Sequence, residues 1–144
     1  MKRQLIALRG TRNSGKSSAL LALYRLLVTD PGTKIIAFDS FGFGLDFIAI
    51  VQINGCKVGV FNRGDDSGTV DELIKKLVLA KCKVIVCAAR SRGGVGDVLA
   101  SYQPKYQLQE VLKRTGDGDE VSFALVNLGV AHDLAARVYS SIMV

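Results

Sequence analysis

The sequence is short of the residues from which metal sites and redox centres are usually built. It holds one histidine, His132, and three cysteines, Cys56, Cys82 and Cys87. Their spacing matches no zinc-ligand pattern, and an odd number of thiols forms no closed disulfide framework. Reduced, mostly buried thiols and a cytoplasmic setting are the expectation. His132 has no metal-binding or nucleophilic partner near it in sequence and reads as an ordinary helix residue. No apolar run is long enough to cross a membrane as a helix, which argues against a membrane partner. After Lys2 and Arg3 only Leu5, Ile6, Ala7 and Leu8 are apolar before Arg9, too few for a secretory signal. Internal repeats and low-complexity tracts are absent too. So is any block of basic residues: the net charge is +6, but lysines and arginines are scattered and not interleaved with aromatics. Such a balance suits an anionic ligand; it leaves nucleic acid open as a partner without marking a surface for it.

What is present is enough for one core. With 144 residues, 49% of them hydrophobic and 22% charged, residues 1–144 read as a single globular domain. Near its start stands Gly10-Thr11-Arg12-Asn13-Ser14-Gly15-Lys16-Ser17, which fits G-x-x-x-x-G-K-[ST], the Walker A pattern, at every fixed position. A loop around a polyphosphate must aim several backbone N–H groups inward, and Gly10 and Gly15 tolerate the angles this needs. A helix opening at Lys16 adds its positive end to the same place. Lys16 then supplies a point charge for the β- and γ-phosphates, Ser17 a hydroxyl for Mg²⁺, and Ser18 a further donor in the first turn.

The flanking pattern supplies the setting that this motif requires. Leu5-Ile6-Ala7-Leu8 reads as a buried strand, and residues 16–28 as a buried helix stopped by Thr29-Asp30-Pro31-Gly32. Ile35-Ile36-Ala37-Phe38 is an apolar run closed by Asp39. Residues 47–53 and 56–61 are β-rich and separated by Asn54-Gly55, a hairpin signal. Thr69 and Glu72 form a capping box for a helix with Val70, Leu73, Ile74, Leu77 and Val78 on its inner face. Asp71 and Lys75 sit four apart on its outer face. Residues 84–89 form a strand and 97–102 a helical turn. Residues 106–114 fit a helix or an alternating strand, helix ahead, while 121–126 are read as a strand and 130–143 as a final helix. Strands alternating with helices imply an α/β three-layer sandwich with a mainly parallel sheet and one antiparallel hairpin. Ligands bind such sheets beyond the carboxyl ends of the strands. The loops after Leu8, Phe38, Phe61, Ala89 and Val126 are therefore where chemistry is expected.

A Walker A loop needs an acid for Mg²⁺ from a neighbouring strand end. Asp65, in the loop Gly64-Asp65-Asp66-Ser67-Gly68, and Asp39 are the two candidates, Asp65 ahead. Arg90 and Arg92 follow a buried strand on the same edge, where they can stabilise charge on a transferred phosphoryl group or hold a substrate anion. Arg12 and Arg63 are weaker candidates for that role.

Through Gly10 to Ser17 the chain resembles the P-loop NTPase superfamily. Val84-Ile85-Val86-Cys87-Ala88-Ala89-Arg90-Ser91-Arg92 is similar to the strand-and-arginine segment of small kinases, the group that includes adenylate and gluconate kinases. The order of phosphate loop, helix, antiparallel pair, Asp65-Asp66-Ser67-Gly68 (D-x-x-G) and helix is similar to Ras-like GTPases. Val126-Asn127-Leu128-Gly129 lacks the lysine and aspartate of a guanine-reading N-K-x-D box. The resemblance implies a Mg²⁺-dependent nucleotide-binding protein, for ATP rather than GTP. It hydrolyses the γ-phosphate or transfers it to a small-molecule or protein acceptor; the alternative is a nucleotide-dependent switch with little hydrolysis of its own.

Overall fold

A computed structural model describes residues 3–10, 15–41, 46–62, 67–90, 94–113 and 120–143, with the backbone alone for Arg90 and residues 120–123. Leu5, Ile6, Ala7 and Leu8 are completely buried. Burial on alternate sides is what an apolar run of this kind meets in the middle of a sheet covered on both faces. They form β1 (Arg3–Gly10), which pairs in parallel with β5 (Val84–Arg90) on one side and β6 (Tyr106–Leu112) on the other. The remaining strands are β2 (Thr33–Ser40), β3 (Phe47–Ile53) and β4 (Cys56–Asn62), and the six-stranded sheet has the order β2-β3-β4-β5-β1-β6. β3 alone runs against its neighbours, antiparallel to both β2 and β4. Asn54 and Gly55 turn β3 into β4 with φ of 51° and 78°, the positive pair that a two-residue hairpin turn of this hand requires.

Four helices cover the two faces: α1 (Lys16–Thr29), α2 (Ser67–Leu79), α3 (Val95–Ala100) and α4 (Glu120–Ile142). Ile6 and Leu8 face a cluster built with Leu20, Leu23 and Leu27 of α1 and Leu134 and Val138 of α4. Leu5 and Ala7 face the opposite cluster, with Val70, Ile74 and Leu77 of α2 and Val95 and Leu99 of α3. Each fully buried leucine or valine of this kind contributes about 1.5–3 kcal/mol relative to an exposed one. The result is the expected α/β layering, a mixed sheet between two helical layers.

Three local expectations are corrected. Residues 106–112 are strand β6, not helix. Rich in helix formers though they are, they pair along the whole of β1, and that pairing overrides propensity. Residues 121–126 are not a strand but the opening turns of α4, a 23-residue helix that also takes in the expected break at 127–129. The loop after Val126 is thereby removed from the carboxyl edge, and the end of β6 takes its place. Finally, α2 begins at Ser67, so Thr69 lies inside its first turn instead of capping it. Asp71 and Lys75 do form their ion pair, at 2.9 Å.

Candidate functional site

β1 hands the chain to α1 on one face, while β5 sends it through α3 on the other face to β6. Neighbouring strands whose connections leave on opposite sides open a crevice at their carboxyl ends, where α/β sheets hold ligands. Gly10 and Arg90 are ladder partners at that point. The chain re-enters the described region at Gly15, with φ +86°, a left-handed conformation that a side chain at this position would strain. A Cβ there would also lie 2.9 Å from the Asn127 amide oxygen of α4, whose side chain would have to shift.

From Gly15 the helix starts abruptly. Among the described residues no side chain caps α1, and no acid of its own occupies its first turn, so its N-terminal positive end is not offset from within the helix. The Lys16 ammonium reaches back 3.0 Å to the Gly10 carbonyl, which closes the loop across its base. The Ser17 hydroxyl donates to the Asn62 amide oxygen at 3.2 Å. Asn62 is the last residue of β4 and only 3% exposed. α1 therefore leans over β4 and β5 as well as its own strand, and Ser17 meets the end of β4 although β5 lies between β4 and β1.

Further polar residues are buried near this end of the sheet. Lys113 follows β6, donates its backbone N–H to the Arg9 carbonyl at 2.7 Å, and is 5% exposed. Burial pushes its ammonium pKa down. Arg9 in turn pairs with Glu110 at 2.8 Å. The amide oxygen of Asn127 is buried and has no hydrogen-bond partner among the described residues.

Of the residues singled out from sequence, Gly10, Gly15, Lys16 and Ser17 come together, and Ser18 is exposed on the first turn of α1. Asp39 is not brought there. It is the penultimate residue of β2, four strands from β1, about 19 Å at the usual interstrand spacing, with Ile48 as ladder partner. Its run Ile35 to Phe38 lies on an exposed edge strand. At that separation Asp39 is out of reach of a group held at Ser17. Thr11, Arg12, Asn13, Ser14, Arg63, Asp65, Asp66 and Arg92 lie outside the described residues. Ser67 and Gly94, the next described residues after Asp65 and Arg92, lie side by side, since a Cβ on Gly94 would lie 3.9 Å from Ser67. His132 is exposed on α4, and no group of three potential metal ligands exists among the described residues.

Sequence reading missed Asn62, Lys113 and Asn127. Asn62 could have been found as the polar residue ending a buried strand. Lys113 was hidden by the helical reading of residues 106–114. Asn127 lies in the stretch compared with a guanine box, and the structure sets it against Gly15 instead. Comparison of the chain with protein-family models, curated proteins and solved structures finds no match.

Proposed function

We propose that the protein is a P-loop nucleotide-binding enzyme, dependent on Mg²⁺, that binds a nucleoside triphosphate (ATP ahead of GTP) and hydrolyses or transfers its γ-phosphate. One observation carries this reading: an uncapped α1 opens at the crevice beside β1 with Lys16 folded onto Gly10. A lysine bonded to a neutral carbonyl can exchange that bond for a charge-assisted bond to phosphate. The α1 amides hold the other phosphate oxygens. Ser17 and Asn62 offer two neutral oxygens 3.2 Å apart, which suits a hard cation that keeps phosphate oxygens as its remaining ligands. Bound Mg²⁺ would neutralise charge on the β- and γ-phosphates. Arg90 and Arg92 are assigned to charge on the transferred group, and Asp65 remains the candidate acid.

The test is calorimetric titration with ATP and GTP, each with Mg²⁺, against wild type and Lys16→Ala. The variant should keep its fold and lose tight triphosphate binding. Equal affinity in the two proteins would end the proposal.

Asn62 favours a second reading, that of a switch with little hydrolysis. Beside Ser17 it places an amide where a carboxylate would add negative charge for the metal. Single-turnover phosphate release separates the readings: sustained release without a partner supports the enzyme, and a long-lived bound triphosphate supports the switch.

A further inference from the structure

β2 ends the sheet with an open edge, yet it is eight residues long and carries Ile35, Ile36 and Phe38 at 57%, 47% and 44% exposure. Among the described residues nothing pairs with its outer side. An edge of this length and composition is a template for another strand.

What fits it best is the same strand. Laid antiparallel on a copy of itself, Thr33-Lys34-Ile35-Ile36-Ala37-Phe38-Asp39-Ser40 sets Lys34 opposite Asp39, Ile35 opposite Phe38 and Thr33 opposite Ser40. The symmetry repeats each pair. Opposite charges and apolar groups directly across a ladder stabilise it. Among the described residues neither Lys34 nor Asp39 is in an ion pair within its own chain.

A regular strand could not make this match. Residues five apart point to opposite faces, and their N–H and C=O groups are out of phase. In β2 the register against β3 slips between Ile35 and Ala37. Lys34 and Asp39 both fall opposite even-numbered residues of β3, Gln52 and Ile48. Thr33, Ile35, Phe38 and Ser40 all fall opposite odd-numbered ones. The bulge thus brings each proposed pair onto one face and into phase, and the two arms of the strand become complementary to each other. Bulges and edge lysines also serve to keep edges apart. Here the lysine has its counter-charge at the mirrored position.

We propose that β2 is the seam of a symmetric homodimer in which Lys34 of each copy pairs with Asp39 of the other, joining the two sheets into one. β2 runs in the same direction as β1, because two antiparallel steps and two parallel ones separate them. Antiparallel pairing therefore places the two phosphate loops on opposite rims of the joined sheet, and neither copy completes the other's site.

Sedimentation velocity over the micromolar range tests this, with circular dichroism confirming the fold of each surface variant. Wild type should sediment as a dimer. Lys34→Asp and Asp39→Lys should each be monomeric alone, should form a heterodimer when mixed, and should self-associate again when both changes sit in one chain. A monomeric wild type would make the bulge and Lys34 a protective device and overturn the proposal. So would a dimer that both single reversals leave intact.

Discussion

Ser17 meets Asn62 inside the protein, and exchanging that amide for a carboxylate is the smallest change that alters the charge of the site. Asn62→Asp buries an acid at a position only 3% exposed, which should cost the free protein about 1–3 kcal/mol. A cation beside Ser17 should return that loss. The shift in melting temperature caused by Mg²⁺ and ATP should therefore be larger for the variant than for wild type, and equal shifts would place the metal elsewhere. Lys113 gives a second, independent readout. Burial lowers its pKa in the folded state, so over the window below the ordinary lysine value the unfolded chain binds more protons. This lysine then costs stability at neutral pH and costs less as pH rises towards that value. In urea melts, the stability of Lys113→Met relative to wild type should be most favourable at pH 7 and decline by pH 10. Asn62 and Lys113 differ in how far sequence reveals them: the buried run before Asn62 marks it as a polar strand end, whereas Lys113 is placed by the pairing of β6 with β1, which no local pattern shows.

The elements with one dominant local signal were legible. α1 follows from its glycine and its run of leucines, α2 from its apolar spacing, and the β3–β4 hairpin from Asn54-Gly55. The passage from β1 into α1 was legible for the same reason, since the strand, the glycine-rich motif and the helix are contiguous in sequence. β6 and the start of α4 were not, because distant partners decide them. Tyr106-Gln107-Leu108-Gln109-Glu110 carries residues at home in a helix until β1 offers its free side. Residues 121–126 form an apolar run too short for periodicity to separate strand from helix. Packing between elements is just as remote from sequence. A Cβ on Gly59 of β4 would lie 2.7 Å from a Leu77 methyl of α2. Gly59→Ala should push α2 outward and cost about 1–3 kcal/mol in chemical denaturation. Leu77→Ala added to that variant should cost less than the same change in wild type, a coupling that a double-mutant cycle reads directly.

Across the whole molecule, the two clusters on either side of the sheet set what the solvent can reach. Burial raises the Cys82 thiol to about 11 and the Cys87 thiol to about 12, whereas Cys56 is half-buried at the start of β4. A raised thiol pKa keeps the unreactive protonated form at neutral pH. An aromatic disulfide reagent at pH 8 should modify Cys56 alone in the native protein and all three thiols after unfolding. Early reaction of Cys87 would show that the sheet opens at its centre. The strand order has a further consequence, one of timing. β2, β3 and β4 are consecutive neighbours and can pair as soon as they leave the ribosome. β1 has no such neighbour, since Gln4 waits for Val84 and Arg3 for Tyr106. β1, made before both of its partners, is therefore secured only after β5 and β6 have followed it, and on the proposed reading the loop at its end could hold phosphate only from then on. A nascent chain arrested after β4 should hold a hairpin but no nucleotide.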